Sequence, residues 1–104
     1  MSLDMEETAA YHDVPPALRE KFRASLPERL DIIQTAWKAI SEGTPSEFAT
    51  LRLHVHRLAG ATGTYGYARL HATSCRLEAA IDAGQSLDAM EPLYLELRIA
   101  IESL

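Results

Sequence analysis

His56 is the residue of this 104-residue chain whose surroundings best suit chemistry. Arg57, Leu58, Ala59 and Gly60 follow it, Gly63 comes next, and Gly66 stands ten positions on. An imidazole titrates near neutrality, and its two nitrogens can take separate tasks, one bonded for orientation and one free as a nucleophile. Small residues in the turns after it let another protein come close to the ring. Glycine costs a helix interior about 1 kcal/mol relative to alanine. Gly60 and Gly63 therefore carry a penalty that close approach would offset, whether by a partner backbone or by the neighbouring helix.

The pattern around His56 predicts a helix. Thr44-Pro45-Ser46-Glu47 has capping-box spacing with proline at the first helical position. Phe48, Leu51, Val55, Leu58 and Thr62 then step in a heptad seam, and Gly66 is the expected stop. At ~1.5 Å per residue this helix is roughly 30 Å long. At ~100° per residue His56 points roughly 120° away from the centre of the seam, into solvent. Arg52, Gly60 and Gly63 share its stripe, and Ala59 borders it on the seam side. His54 lies ~160° around the helix from His56, so the two cannot chelate one metal.

A second helix is expected from about Ala68 to Ala83, with the seam Leu70, Ser74, Leu77 and Ile81 and a stop at Gly84. Beside that seam run His71, Cys75, Glu78 and Asp82. If the two helices are antiparallel neighbours, counting back from the turn reaches His56 and counting forward about as far reaches Glu78. A carboxylate there accepts the imidazole Nδ1–H. That fixes the tautomer, leaves Nε2 free as nucleophile and favours its positively charged product.

The remaining chain supplies the frame. A short helix over Pro16 to Ala24 carries Leu18 and Phe22. Ser25-Leu26-Pro27-Glu28 has capping-box spacing and opens a helix with Leu26, Leu30, Ile33, Trp37 and Ile40, which Gly43 stops. Asp88 with Glu91 reads as a third capping box, with Pro92 near the first turn, ahead of Met90, Tyr94, Leu97, Ile101 and Leu104. No stretch alternates like a strand. The expected fold is all-α: an antiparallel up-down-up-down four-helix bundle with a short N-terminal capping helix. Residues 1–14 are expected to be a flexible N-terminal segment and 15–104 the bundle.

Composition narrows the function. The net charge of −5 argues against a nucleic-acid partner and against an anionic membrane surface. Cys75 is the single cysteine, so no internal disulfide forms, which suits a cytoplasmic setting. No apolar run approaches the ~18–20 residues of a membrane span, and the acidic Met1–Tyr11 stretch is unlike a signal peptide. His12, His54 and His71 read as surface or boundary residues, Cys75 as a small packing residue, and Phe22 and Trp37 as core.

His56-Arg57-Leu58-Ala59-Gly60, with Gly66 beyond, resembles the histidine-phosphotransfer (HPt) domain, whose usual pattern is H-x-L-K-G followed by a glycine. Leu70, Cys75, Leu77 and Glu78 are similar to that family's following helix, and the resemblance spans about Pro16 to Leu104. It implies a phosphorelay in which His56 accepts a phosphoryl group from an aspartyl phosphate on a receiver domain and passes it to another receiver's aspartate. The donor would be the receiver of a hybrid histidine kinase and the acceptor a response regulator. Glu78 matches the family's histidine-orienting position. The family often has lysine where this chain has Ala59; either Arg52 or Arg57 substitutes in part, or the receiver's own lysine and Mg²⁺ do that work. The resemblance implies no bound cofactor, Mg²⁺ supplied by the receiver, and no ATP binding or autokinase activity. No nucleotide-binding glycine motif is present. Chain ends near Met1 and Leu104 suit a free-standing carrier, and the apolar seams suit a monomer. The expected partner-binding residues are Arg52, Arg57, Ala59, Gly60 and Gly63. The competing expectation is a catalytically silent helical module that only docks a partner, such as a receiver, through the face around Arg52, His56, Gly60 and Gly63.

Overall fold

The heptad seams become the buried faces of four helices. In the computed structural model, which describes residues 14–104, these are α1 (Pro16–Ser41), α2 (Phe48–Tyr65), α3 (Ala68–Asp82) and α4 (Leu87–Glu102). A 3₁₀ turn, Pro45–Glu47, leads into α2. The N-terminal segment expected to be flexible lies, up to residue 13, outside the described residues. Each helix packs against its sequence neighbours, and α4 closes back on α1. Consecutive helices run antiparallel. Phe22 near the start of α1 stacks on Tyr65 at the end of α2, with ring centroids 4.8 Å apart. Arg23 donates to the Leu104 carbonyl just beyond α4.

The core follows the predicted seams closely. Leu51, Val55 and Leu58 of α2 are fully enclosed with Leu77 of α3, Met90 and Leu97 of α4, and Ile33 of α1. Trp37 and Tyr94 stack at 4.5 Å between α1 and α4. Three polar residues, the seam positions Thr62 and Ser74 together with Thr73, are buried without loss because each hydroxyl bonds a carbonyl of the preceding turn. Thr62 donates to Leu58, Thr73 to Arg69 and Ser74 to Leu70. Leu104 departs from its predicted seam and stays exposed past the end of α4. Among the described residues no helix is long and apolar enough to cross a membrane.

The separate N-terminal capping helix is corrected. Residues 16–24 are the opening turns of the continuous 26-residue α1, and Pro27 lies inside it. The buried face runs unbroken through Phe22, Leu26, Leu30 and Ile33, so packing holds the helix together across the proline. Ser25 is no cap: its hydroxyl donates to the Phe22 carbonyl and accepts from Arg29. Pro27 faces solvent, where the Arg23 carbonyl that loses its usual N–H partner can be hydrated. The same residues still close one end of the bundle. Arg19 donates to the Tyr65 carbonyl and lies over the Tyr67 ring. An interior proline costs up to ~3 kcal/mol relative to alanine. Pro27→Ala should therefore raise the midpoint of thermal unfolding followed by circular dichroism.

Two other helix starts also differ from expectation. The Thr44 side chain makes no cap bond, and the 3₁₀ turn delays α2 to Phe48. At α4 the cap is Ser86, whose hydroxyl accepts from the Ala89 N–H, so Asp88 falls in the first turn and Pro92 in the interior. There an acidic Asp88 complements the helix dipole without capping it.

Candidate functional site

The turn between α2 and α3 sets the geometry of the site. Gly66 sits in the left-handed region at φ 80°, which glycine enters without a Cβ clash. The Tyr67 N–H returns to the Thr62 carbonyl, and α3 begins at Ala68. This tight reversal imposes one antiparallel register along the whole helix pair. Gly63 lies opposite His71, His56 opposite Glu78, and Arg52 opposite Asp82.

Glu78 Oε2 stands 2.5 Å from His56 Nδ1. A carboxylate can only accept, so Nδ1 carries the proton and Nε2 of the neutral ring holds the lone pair. The His56 side chain is 62% exposed while that of Glu78 is 18% exposed. The ring therefore stands out from the bundle on a carboxylate that is itself largely packed. This arrangement can present an oriented, uncharged imidazole nitrogen to a large partner and stabilise positive charge that develops on the ring.

One helical turn away, Arg52 Nε donates to Asp82 Oδ1 at 2.5 Å and Nη2 donates to Oδ2 at 3.3 Å. The same Nη2 is 3.9 Å from Glu78 Oε2. The Arg52 hydrogen bond holds the Asp82 carboxyl below its ordinary range. The pair is thus intact at neutral pH and opens only as pH falls through that lowered value. Asp82 was placed on the right stripe by the sequence but assigned no role. The count from the turn that reaches Glu78 from His56 also reaches Asp82 from Arg52.

The other predicted face residues separate into two groups. Arg57 and Gly60 are exposed, and Arg57 has no hydrogen-bond or ion-pair partner among the described residues. Ala59 requires a correction, because it is only 5% exposed and lies under the face instead of lining it. Its carbonyl accepts from His71 Nδ1 at 2.7 Å. That bond brings the His71 ring over Gly63, where an added Cβ would meet the ring at 3.1 Å. The thiol of Cys75 lies 3.6 Å from the far nitrogen of the same ring. So His71 is a half-buried bridge between α2 and α3, and neither His71 nor Cys75 joins His56. Among the described residues, no three histidine, cysteine or acidic side chains gather as a metal-ligand set.

A family model of the Hpt domain matches residues 17–104, nearly all of the chain. The chain belongs to the Hpt domain family. Comparison with curated proteins and with solved structures returned no match. Hpt domains carry phosphoryl groups in two-component phosphorelays, are not kinases, and engage receiver domains of response regulators or kinases. The all-α bundle described above accords with that membership.

The two glycines of this Hpt domain have different reasons. Nothing lies within 4 Å of a Cβ built on Gly60, so its helix penalty is not offset inside the molecule. At Gly63 the offset is the neighbouring helix's histidine. Gly60→Leu should keep or slightly raise helical content while slowing phosphotransfer from a receiver, because bulk one turn from His56 holds the partner off the ring. Gly63→Leu should instead displace His71 and lower the unfolding midpoint. Equal effects of the two substitutions in melts and transfer assays would contradict this division.

Proposed function

We propose that this Hpt domain relays a phosphoryl group between receiver aspartates through a phosphohistidine at His56, from the receiver of a hybrid histidine kinase to a response regulator in the cytoplasm. The observation that carries the reading is the His56 Nδ1–Glu78 hydrogen bond on a ring that is otherwise open to solvent. The Nε2 lone pair attacks the phosphorus of the incoming aspartyl phosphate. An N–P bond forms while the P–O bond to the aspartate breaks, and the electron pair leaves with the receiver's carboxylate. The ring keeps its Nδ1–H and becomes a phosphorylated cation, which the Glu78 carboxylate favours. In the second transfer a carboxylate oxygen of another receiver attacks phosphorus, the N–P bond breaks, and the imidazole returns to neutrality.

Arg52, Arg57, Gly60 and Gly63 form the receiver-facing surface around the ring. Mg²⁺ on the receiver would neutralise charge on the transferring group. Glu78 and Asp82 are already engaged by His56 and Arg52, so these two carboxylates are not free to hold a metal ion. The test is incubation with a phosphorylated receiver and Mg²⁺. The expected result is an acid-labile, base-stable label on the Hpt domain. Receiver binding with no label would favour the docking-only module instead.

A further inference from the structure

We propose that Asp82 is a positioning residue for His56: it holds Arg52 away from Glu78 and so leaves the Glu78 carboxylate to the imidazole. This rests on the reading of His56 as a ring oriented by Glu78.

Four side chains form two rungs between α2 and α3, Arg52 with Asp82 and His56 with Glu78, one helical turn apart. The diagonal between the rungs is short, with Arg52 Nη2 3.9 Å from the oxygen of Glu78 that accepts from His56. A guanidinium is a far stronger partner for a carboxylate than a neutral imidazole N–H is, because its bonds are charge-assisted and can be bidentate. Without Asp82, Arg52 would pair with Glu78, and the Glu78 carboxylate would turn toward it. The imidazole would then lose the acceptor that fixes its tautomer, and the charge that favours its phosphorylated form would be largely neutralised. Asp82 prevents this by taking both Nε and Nη2 of the guanidinium. Arg52 is left beside Glu78 but held too firmly to displace His56.

The Asp82 side chain is 45% exposed at the C-terminal end of α3, so its truncation leaves the core untouched. The experiment reads the ring itself. Long-range ¹H–¹⁵N spectra of the isolated chain, at a pH where His56 is neutral, report which nitrogen carries the proton. Wild type should show the Nδ1–H tautomer as the dominant species. D82A should lose that dominance and give a tautomer mixture, and the double variant R52A/D82A should regain it, since the competing cation is gone. A purely structural role for Asp82 would not be reversed by removing Arg52. A wild-type tautomer in D82A overturns the proposal, as does a double variant that stays mixed. A wild-type ring without Nδ1–H preference would sink the orientation by Glu78 as well. By contrast, tautomers that respond as expected in a protein that never accepts phosphoryl groups would sink the relay and leave the role of Asp82 standing.

Discussion

His56→Gln should abolish phosphoryl acceptance while leaving the bundle folded. The side chain is exposed and contributes no packing to the core, so circular dichroism and the unfolding midpoint should match wild type closely. Glutamine approximates the reach of imidazole and can still donate an N–H to Glu78, but its amide nitrogen has no lone pair available for attack. No other histidine in the described region can stand in. His54 is half-buried on a different side of α2. His71 has one nitrogen on the Ala59 carbonyl and the other against the Cys75 thiol. Label from a phosphorylated receiver should therefore fall to background. Equal labelling of the variant would move the acceptor elsewhere.

Glu78→Ala should slow transfer roughly 10- to 100-fold, by analogy with metal-ligating histidines that lose the carboxylate orienting them. Two losses combine. The neutral ring would place its proton on either nitrogen, so that only part of the population presents the Nε2 lone pair. The cationic phosphorylated ring would also lose its nearest counter-charge. Stability should change by about 1 kcal/mol, because Glu78, though largely packed, is outside the enclosed core and its partners His56 and Arg52 stay open to water. Rapid-quench transfer assays and thermal melts separate these effects. A large stability loss with unchanged transfer would make Glu78 a structural residue only.

Much of this arrangement was legible in the chain. Heptad steps named the buried faces because four amphipathic stripes have little choice but to meet. Gly66 marked the reversal, and counting outward from it paired His56 with Glu78. Three features were harder to read. Pro27 behind a serine looks like a helix start, yet Phe22 and Leu26 continue the apolar face across it, and tertiary packing overrides the local signal. Ala59 lies close enough to the seam that angular counting cannot place it on one side; the crossing of α3 decides that it is covered. The reason for Gly63 resides in His71, a residue on another helix, and became visible only once the antiparallel register was applied beyond the reactive pair. Arg52 with Asp82 belongs to that same register and was open to the same count.

The central claim is that Nδ1 of His56 is tied to Glu78 and Nε2 does the chemistry. Phosphorylating the uniformly ¹⁵N-labelled protein with a receiver and recording ¹⁵N–³¹P correlations tests it most directly. The account predicts a single correlation, to Nε2 of His56. A phosphoryl group on Nδ1, or on any other residue, would contradict it.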